Sequence, residues 1–359
     1  MNDININLSV IDVEKKYSYS PDENVYGDNS IVSYGRDNNL PYLLKNCYLK
    51  SATLKAIIDG SVNYILGDEI EVKDIITNFK EKVNRTGVTI RQFLAGLALS
   101  YQQYGGFAFQ VIYSKLGTVT ELYNLDFSKC RTNENGTKIF YNKKNWGKYT
   151  SKCESFDRFD RTKFDINHPT QIYYYKGDFN TSVYPVPMWY GALNDVLTEI
   201  ECGRYSLNSV SNGFTSKYIF NIPNGGNLPQ DQKDLIEQRI KEKFCGADTD
   251  SNFMLYFQSD DEHALSISKL EADETPELYK GIREAARANI YTACRTTPNL
   301  MGLPTETTGF NSQEYSSAFK LYQKTVIQPI QRILEETLAK VFGLDAVEIK
   351  PFVINFDNE

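Results

Sequence analysis

A run of unbroken helical periodicity near the C-terminus, entered through a loop full of Gly, Pro and Thr, constrains this chain more than any other feature. Tyr315, Phe319, Tyr322, Val326, Ile330, Ile333, Leu334 and Val341 recur at helical intervals. They mark the buried side of one helix from residue 311 to Phe342, roughly 48 Å long at about 1.5 Å per residue. Asn311-Ser312-Gln313-Glu314 is a capping-box-like start. Pro329 lies inside, where a missing backbone donor and a ring clash force a kink. Ahead of this rod, residues 296–311 form a polar loop with an apolar tip at Leu300, Met301 and Leu303. The local pattern therefore describes a pliant loop mounted on a stiff, bent element.

Upstream, residues 1–40 are Asn/Asp-rich with little periodicity and read as an extended arm. A helix is expected from near Leu43 through Leu54, Ile57, Ile58, Val62 and Ile65, stopped by Gly67. A second is expected over Ile90–Tyr104, ended by Gly105-Gly106. Between Phe107 and Tyr175 the pattern turns to strands, "FAFQVIYS", "VTELYNLD", "TKIFYNKK" and "QIYYYKG", which read as a meander. Pro185 and Pro187 end this region, and residues 188–212 read as a helix. A compact α/β insert follows, with "SKYIFNI", a turn at "PNGGN", a charged helix from Pro229 to Phe244, "NFMLYFQ" and "ALSISKL". Thr275-Pro276-Glu277 opens the next helix, with Thr as N-cap and Pro at its first position. The expected contact stripe of that helix is Leu278, Ile282, Ala285, Asn289 and Ala293. "AVEIKPFVINF" is the final strand, and no internal repeat is evident.

The chain has 359 residues, 41% of them hydrophobic, enough for a sizeable core. Its formal net charge of -7 argues against general nucleic-acid binding, which needs a basic excess. No stretch approaches the roughly 18 apolar residues of a membrane span, and no secretion signal is evident. Six cysteines are scattered singly, without a C-x-x-C pair, and only His168 and His263 accompany them. Reduced structural thiols and no metal site are expected. No phosphate-cradling G-x-x-x-x-G-K-[ST], G-x-S-x-G elbow or H-E-x-x-H helix occurs. No cofactor and no catalytic centre are expected. Asp260-Asp261 reads as a solvated acidic turn, since neighbouring residues point apart. Between Lys129 and Lys163 there are ten basic and four acidic residues, interleaved with aromatics. That stretch is either a stacking face for nucleic acid or, more simply, a sheet with solvated lysines.

The order of elements resembles the portal proteins of tailed bacteriophages. Three stretches carry the resemblance: "YGRDNNLPYLLKNCYLKSATLKAIIDGSVNYILGD" (34–68), "LIEQRIKEKFCGADTDSNFMLYF" (235–257), and "TPNLMGLP" with "NSQEYSSAFKLYQKTVIQPIQRILEETL". The resemblance implies an α+β fold divided as the family is. Residues 1–187 would be a β-rich wing, 188–212 a stem helix, 213–274 a clip and 275–295 the second stem helix. The tunnel loop would span 296–311 and the long kinked helix 312–343. A wing strand would occupy 344–359, with the family's helical crown short or absent.

The resemblance also implies a non-enzymatic ring of about twelve subunits at one capsid vertex. Double-stranded DNA would pass through it during packaging and ejection. Thr297, Asn299, Leu300, Met301, Thr305, Glu306, Thr307 and Thr308 would face that DNA. Lys233, Glu237, Arg239, Lys241, Asp260 and Asp261 would serve clip docking. The implied partners are a terminase large subunit, a major capsid or scaffold protein and a head-tail adaptor, with no membrane. Assembly is expected in the host cytoplasm and residence in the virion. An acidic conduit suits this role, because each phosphate neutralised by Lys or Arg adds affinity and drag. Two alternatives remain at this stage: another ring-forming head-tail connector or injection-apparatus component, and an enzyme acting on nucleic acid through Asp260 and Asp261.

Overall fold

The computed structural model describes residues 25–26, 31–73, 76, 78–146, 153–177, 183–211, 217–222, 228–244, 253–257, 266–270, 275–302 and 312–353. The chain divides into two compact units, residues 1–196 with 288–359, and residues 197–287. The architecture mixes helix and sheet in both.

The larger unit begins with the short strands β1 (Val25–Tyr26) and β2 (Ile31–Val32), which pair antiparallel. Helices α1 (Leu40–Lys50) and α2 (Ala52–Leu66) follow. The single helix expected over this stretch is broken at Ser51, whose extended backbone ends α1. Its side chain accepts a hydrogen bond from the Leu54 amide at the start of α2. Strand β3 (Glu69–Val72) and the one-turn α3 (Asn78–Glu81) lead to α4 (Ile90–Tyr104). A Thr89–Gln92 capping box opens α4 and left-handed Gly105 closes it, at the boundaries the pattern indicated.

The main sheet contains β4 (Gly106–Tyr113), β5 (Val119–Asn124), β6 (Cys130–Thr132), β7 (Lys138–Tyr141), β8 (Glu154–Arg158) and β9 (Thr170–Lys176). Its order is β5-β4-β9-β8-β7-β6, so it is not a simple meander. The last strand inserts between β4 and β8, antiparallel to one and parallel to the other. This insertion pairs Phe107 and Phe109 with Tyr175 and Tyr173, building a stacked aromatic ladder. That face packs with α2 and α4 into one apolar core.

The opposite face buries part of the segment that reads as an extended arm. Ile31, Val32, Tyr34 and Leu40 are all buried. Tyr34 stacks on Tyr184 at 4.2 Å and donates to the Pro185 carbonyl. The rest of the arm expectation, residues 1–24 and 27–30, lies outside the described residues. Beneath Tyr34 the fully buried Arg131 donates to the Asn38 side chain and to the carbonyls of Asn38 (2.8 Å), Ser128 (2.9 Å) and Cys130 (2.7 Å). Carbonyl oxygens thus take the place of a counter-ion around a buried cation.

Helix α5 (Leu193–Ser211) starts in the larger unit and continues into the smaller one, preceded by a 3₁₀ turn over Met188–Ala192. The smaller unit holds β10 (Lys217–Ile222), α6 (Gln230–Phe244), β11 (Phe253–Phe257) and β12 (Ser266–Leu270), in the sheet order β11-β10-β12. Parallel pairing of β10 with β11 requires a crossover, which α6 supplies, while β12 pairs antiparallel. Helix α7 (Thr275–Ala293) returns to the larger unit. Among its described side chains and in the turn that follows, Ala286, Ile290, Tyr291 and Cys294 are buried; of the expected stripe, Leu278 lies outside the described side chains and Ala293 is half-buried. Ile282 is 40% exposed, and Ala285 and Asn289 are exposed too.

The long rod is helix α8 (Ser312–Tyr322), a π-helical turn (Gln323–Ile327) and helix α9 (Gln328–Phe342). The irregularity expected at Pro329 is this π turn. Pro329 cannot donate to the carbonyl four residues back and crowds it, so the turn before it widens. Gly343 closes α9 in the left-handed conformation, and strand β13 (Val347–Lys350) pairs antiparallel with β3.

Candidate functional site

Helix α7 ends in a turn that redirects the chain. Arg295 has a positive φ of 52°, and the Thr296 amide donates to the Tyr291 carbonyl at 3.1 Å. Thr297 is extended, and Pro298–Met301 form a 3₁₀ turn stopped by left-handed Gly302. Thr297 is exposed, whereas Asn299 and Met301 are half-buried. Leu300 is only 5% exposed and belongs to the main core. Its carbonyl accepts a hydrogen bond from Tyr64 of α2 at 3.0 Å. The Met301 sulfur comes within 2.7 Å of where a Cβ on Gly60 would stand, so the bare backbone of α2 makes room for it.

The far side of the loop is anchored on the same turn of α2. Tyr322 of α8 and Ser61 share a 2.6 Å hydroxyl contact, and Ser61 donates to the Ile57 carbonyl at 2.7 Å. Phe319 and Tyr322 set their rings 5.9 and 5.8 Å from that of Tyr64. Burial pushes the Tyr322 phenol up to about 12, so it stays protonated and able to donate at neutral pH. Further along, buried Gln331 of α9 donates to the Ile65 carbonyl at 2.9 Å, satisfying the C-terminal end of α2. Residues 60–64 therefore grip the chain immediately before and soon after residues 303–311. Sequence reasoning missed Gly60, Ser61 and Tyr64. The available signal was the adjacent pair of small residues, Gly60 and Ser61, in the middle of a helix.

The predicted loop residues thus divide. Leu300 is a core residue and has no surface to offer a ligand, which corrects its place at an exposed tip. Local composition around it is that of a loop, but tertiary packing buries it. Thr305, Glu306, Thr307 and Thr308 lie outside the described residues, as do Leu303, Asp260 and Asp261 and the side chain of Lys241. On α6, Lys233 and Glu237 sit one turn apart, with Lys233 5.7 Å from the Phe257 ring centre, while Arg239 is exposed on another face. The basic stretch is not one face either. Arg131 is buried, Lys143 pairs with Glu154 at 2.6 Å and Lys163 with Asp160 at 3.3 Å.

Among the described residues, no three His, Cys, Asp or Glu side chains cluster as metal ligands would. Burial raises the thiols of Cys47, Cys130 and Cys294 to about 12, leaving them un-ionised and poorly nucleophilic. No described helix is long and apolar enough to cross a membrane.

Comparison with known proteins bears on this arrangement as a whole. The phage portal protein family model matches residues 67–358. The chain is 22% identical over 182 residues to the "probable portal protein" of Escherichia phage P2. That match covers 51% of this chain and 52% of the relative, so the chain aligns with about half the length of that curated protein. Among solved structures, a chain from the virion of a native gene transfer agent particle superposes with a TM-score of 0.58 at 16% identity. The match covers 90% of this chain and 86% of that one. A chain from the neck of the native particle, computed with C12 symmetry, gives 0.53 at 15% identity over 88% and 84%. An HK97-family phage portal protein from Corynebacterium diphtheriae gives 0.53 at 10% identity over 86% and 94%. At such identities these likenesses concern the fold.

Proposed function

Because the chain belongs to the phage portal protein family, we propose that it assembles into a closed ring through which double-stranded DNA is packaged and later ejected. Twelve copies suit this reading, the order used for the neck of the gene transfer agent particle that shares its fold. Residues 303–311 are the tunnel loop, facing the DNA with Thr305, Glu306, Thr307 and Thr308. Thr297, Asn299 and Met301 form its base, while Leu300 serves the core. The clip is residues 213–274, within the compact unit of residues 197–287, and Lys233, Glu237, Arg239, Lys241, Asp260 and Asp261 are its candidates for docking. It meets the terminase motor during packaging and the head-tail adaptor afterwards. The larger unit is the wing and contacts capsid or scaffold protein. The role is structural rather than catalytic, in a particle assembled in the host cytoplasm.

The observation that carries the tunnel-loop assignment is the double anchorage on residues 60–64 of α2. A loop that touches moving cargo must bend, and its mount must hold position against the packaging force. Anchoring both shoulders to one buried helix turn meets both needs. The composition agrees: residues 297–311 contain no Lys or Arg, and Glu306 is their only charge. Phosphates passing such a surface release no counter-ions to it and are not retained.

Replacing residues 304–309 with a Gly/Ser segment of equal length tests the assignment. Rings should form with unchanged thermal stability, and particles built on them should package or retain less DNA. Full DNA content, or failure of the chain to fold, would remove the assignment.

A further inference from the structure

Two clefts in the larger unit meet at one arginine, and nothing in the channel function uses them. The first, about 520 Å³, lies between β9 and the last turn of α9. Arg158, Arg161, Lys176 and Lys340 line it with Asp160. Asp160 is already engaged. One oxygen accepts from the Thr162 amide and hydroxyl at 3.0 and 2.6 Å, and the other faces Lys163 at 3.3 Å. Among the described residues, Arg158, Arg161 and Lys340 form no ion pair. Arg158 is instead pre-oriented by the Gly136 and Tyr174 carbonyls at 3.3 and 3.1 Å. The Arg161 guanidinium occupies the place where a Cβ on left-handed Gly343 would stand. Arg158, Arg161 and Lys340 are exposed and share the cleft with one carboxylate, already engaged, which leaves an excess of positive charge for a partner's carboxylates to meet.

The second cleft, about 510 Å³, shares Arg161 and is lined by polar residues, Thr118 and Thr120 among them, as well as by apolar ones. Phe79, Tyr113, Val119, Phe342 and Leu344 line it, against the β4–β5 turn. We propose that the joined clefts dock a short segment of a partner protein that carries Asp or Glu beside aliphatic or aromatic side chains. Carboxylates seat on the Arg158–Arg161–Lys340 side, where guanidinium forks match their geometry. Apolar side chains enter the groove beyond Arg161. A nucleic acid would satisfy the cations but has no aliphatic side chains for the groove, so the pairing of the two surfaces favours a peptide.

The test uses the full chain in its assembled form and a fluorescent peptide of about twelve residues, built from Asp/Glu interleaved with Leu/Phe. Arg161→Glu combined with Lys340→Glu should weaken binding by about tenfold or more at low salt. Lys138→Glu, exposed on β7 and lining neither cleft, should change it by less than about twofold. Replacing the peptide's Leu/Phe with Ser should also weaken it. If circular dichroism shows the double reversal misfolded, Arg161→Gln and Lys340→Gln are read separately and should each weaken binding. The proposal is overturned if the peptide does not bind, if the cleft variants bind it unchanged, or if duplex DNA at equal charge displaces it.

Discussion

Leu300 carries two kinds of information that conflict. Its neighbours, Pro298, Gly302, Pro304 and a run of threonines, are those of a surface loop, yet its side chain belongs to the main core. Nothing local could reveal this, because the burial comes from α2, more than 230 residues away in sequence. Leu300→Ala should cost about 2–5 kcal/mol, as other buried truncations do, and lower the melting temperature measured by calorimetry. An unchanged melting temperature would show that the side chain is not packed. Arg131 was similarly illegible, one of ten cations in a stretch that reads as solvated. Asp126 allows a pH test. Burial raises its pKa, but the Lys45 ammonium at 2.7 Å and the Ser128 amide and hydroxyl outweigh that and hold it below the usual carboxylate range. A depressed folded pKa means stability that is present above about pH 3.9 and lost as pH falls through the folded value. Asp126→Asn should cost about 1–2 kcal/mol at neutral pH and remove part of that acid loss. Denaturant titrations across pH compare the two; parallel pH profiles would contradict the account.

Among the elements, strong periodicity was legible and long-range pairing was not. Helix α4, the strands β4, β5, β7 and β9, and the βαβ path through α6 lie where periodicity and turn residues placed them. The insertion of β9 between β4 and β8 was not legible. Strand alternation records which face a residue occupies, not which neighbour it pairs with. Pro329 announced an irregularity, but its form, a π turn over Gln323–Ile327, depends on where Phe319 and Tyr322 must point. Widening that turn brings Tyr322 to Ser61 and Tyr64 while α9 keeps Ile330, Leu334 and Leu338 in the core. Pro329→Ala makes a regular α-helix available, but taking it would rotate α8 by roughly 100° about the helix axis relative to α9 and lift Phe319 and Tyr322 off α2. The packing on α2 should therefore hold the π turn in the variant, with the Tyr322–Ser61 contact kept. A structure of the variant with a regular helix through residues 323–327 would mean that the π turn is only a concession to proline.

For the whole molecule, the family relationship fixes the fold, and the ring with its DNA channel is the account's central claim. Order of elements, more than any single motif, made the family recognisable in the sequence. The loop's true base, fixed by Gly60, Ser61 and Tyr64, required the structure. Electron cryomicroscopy of the assembled protein tests the claim most directly. The account predicts a closed ring in which residues 303–311 of every copy point into an axial channel wide enough for a DNA duplex. A population of monomers without rings, even when coexpressed with capsid protein, would contradict it, as would a ring with those residues on its outer rim.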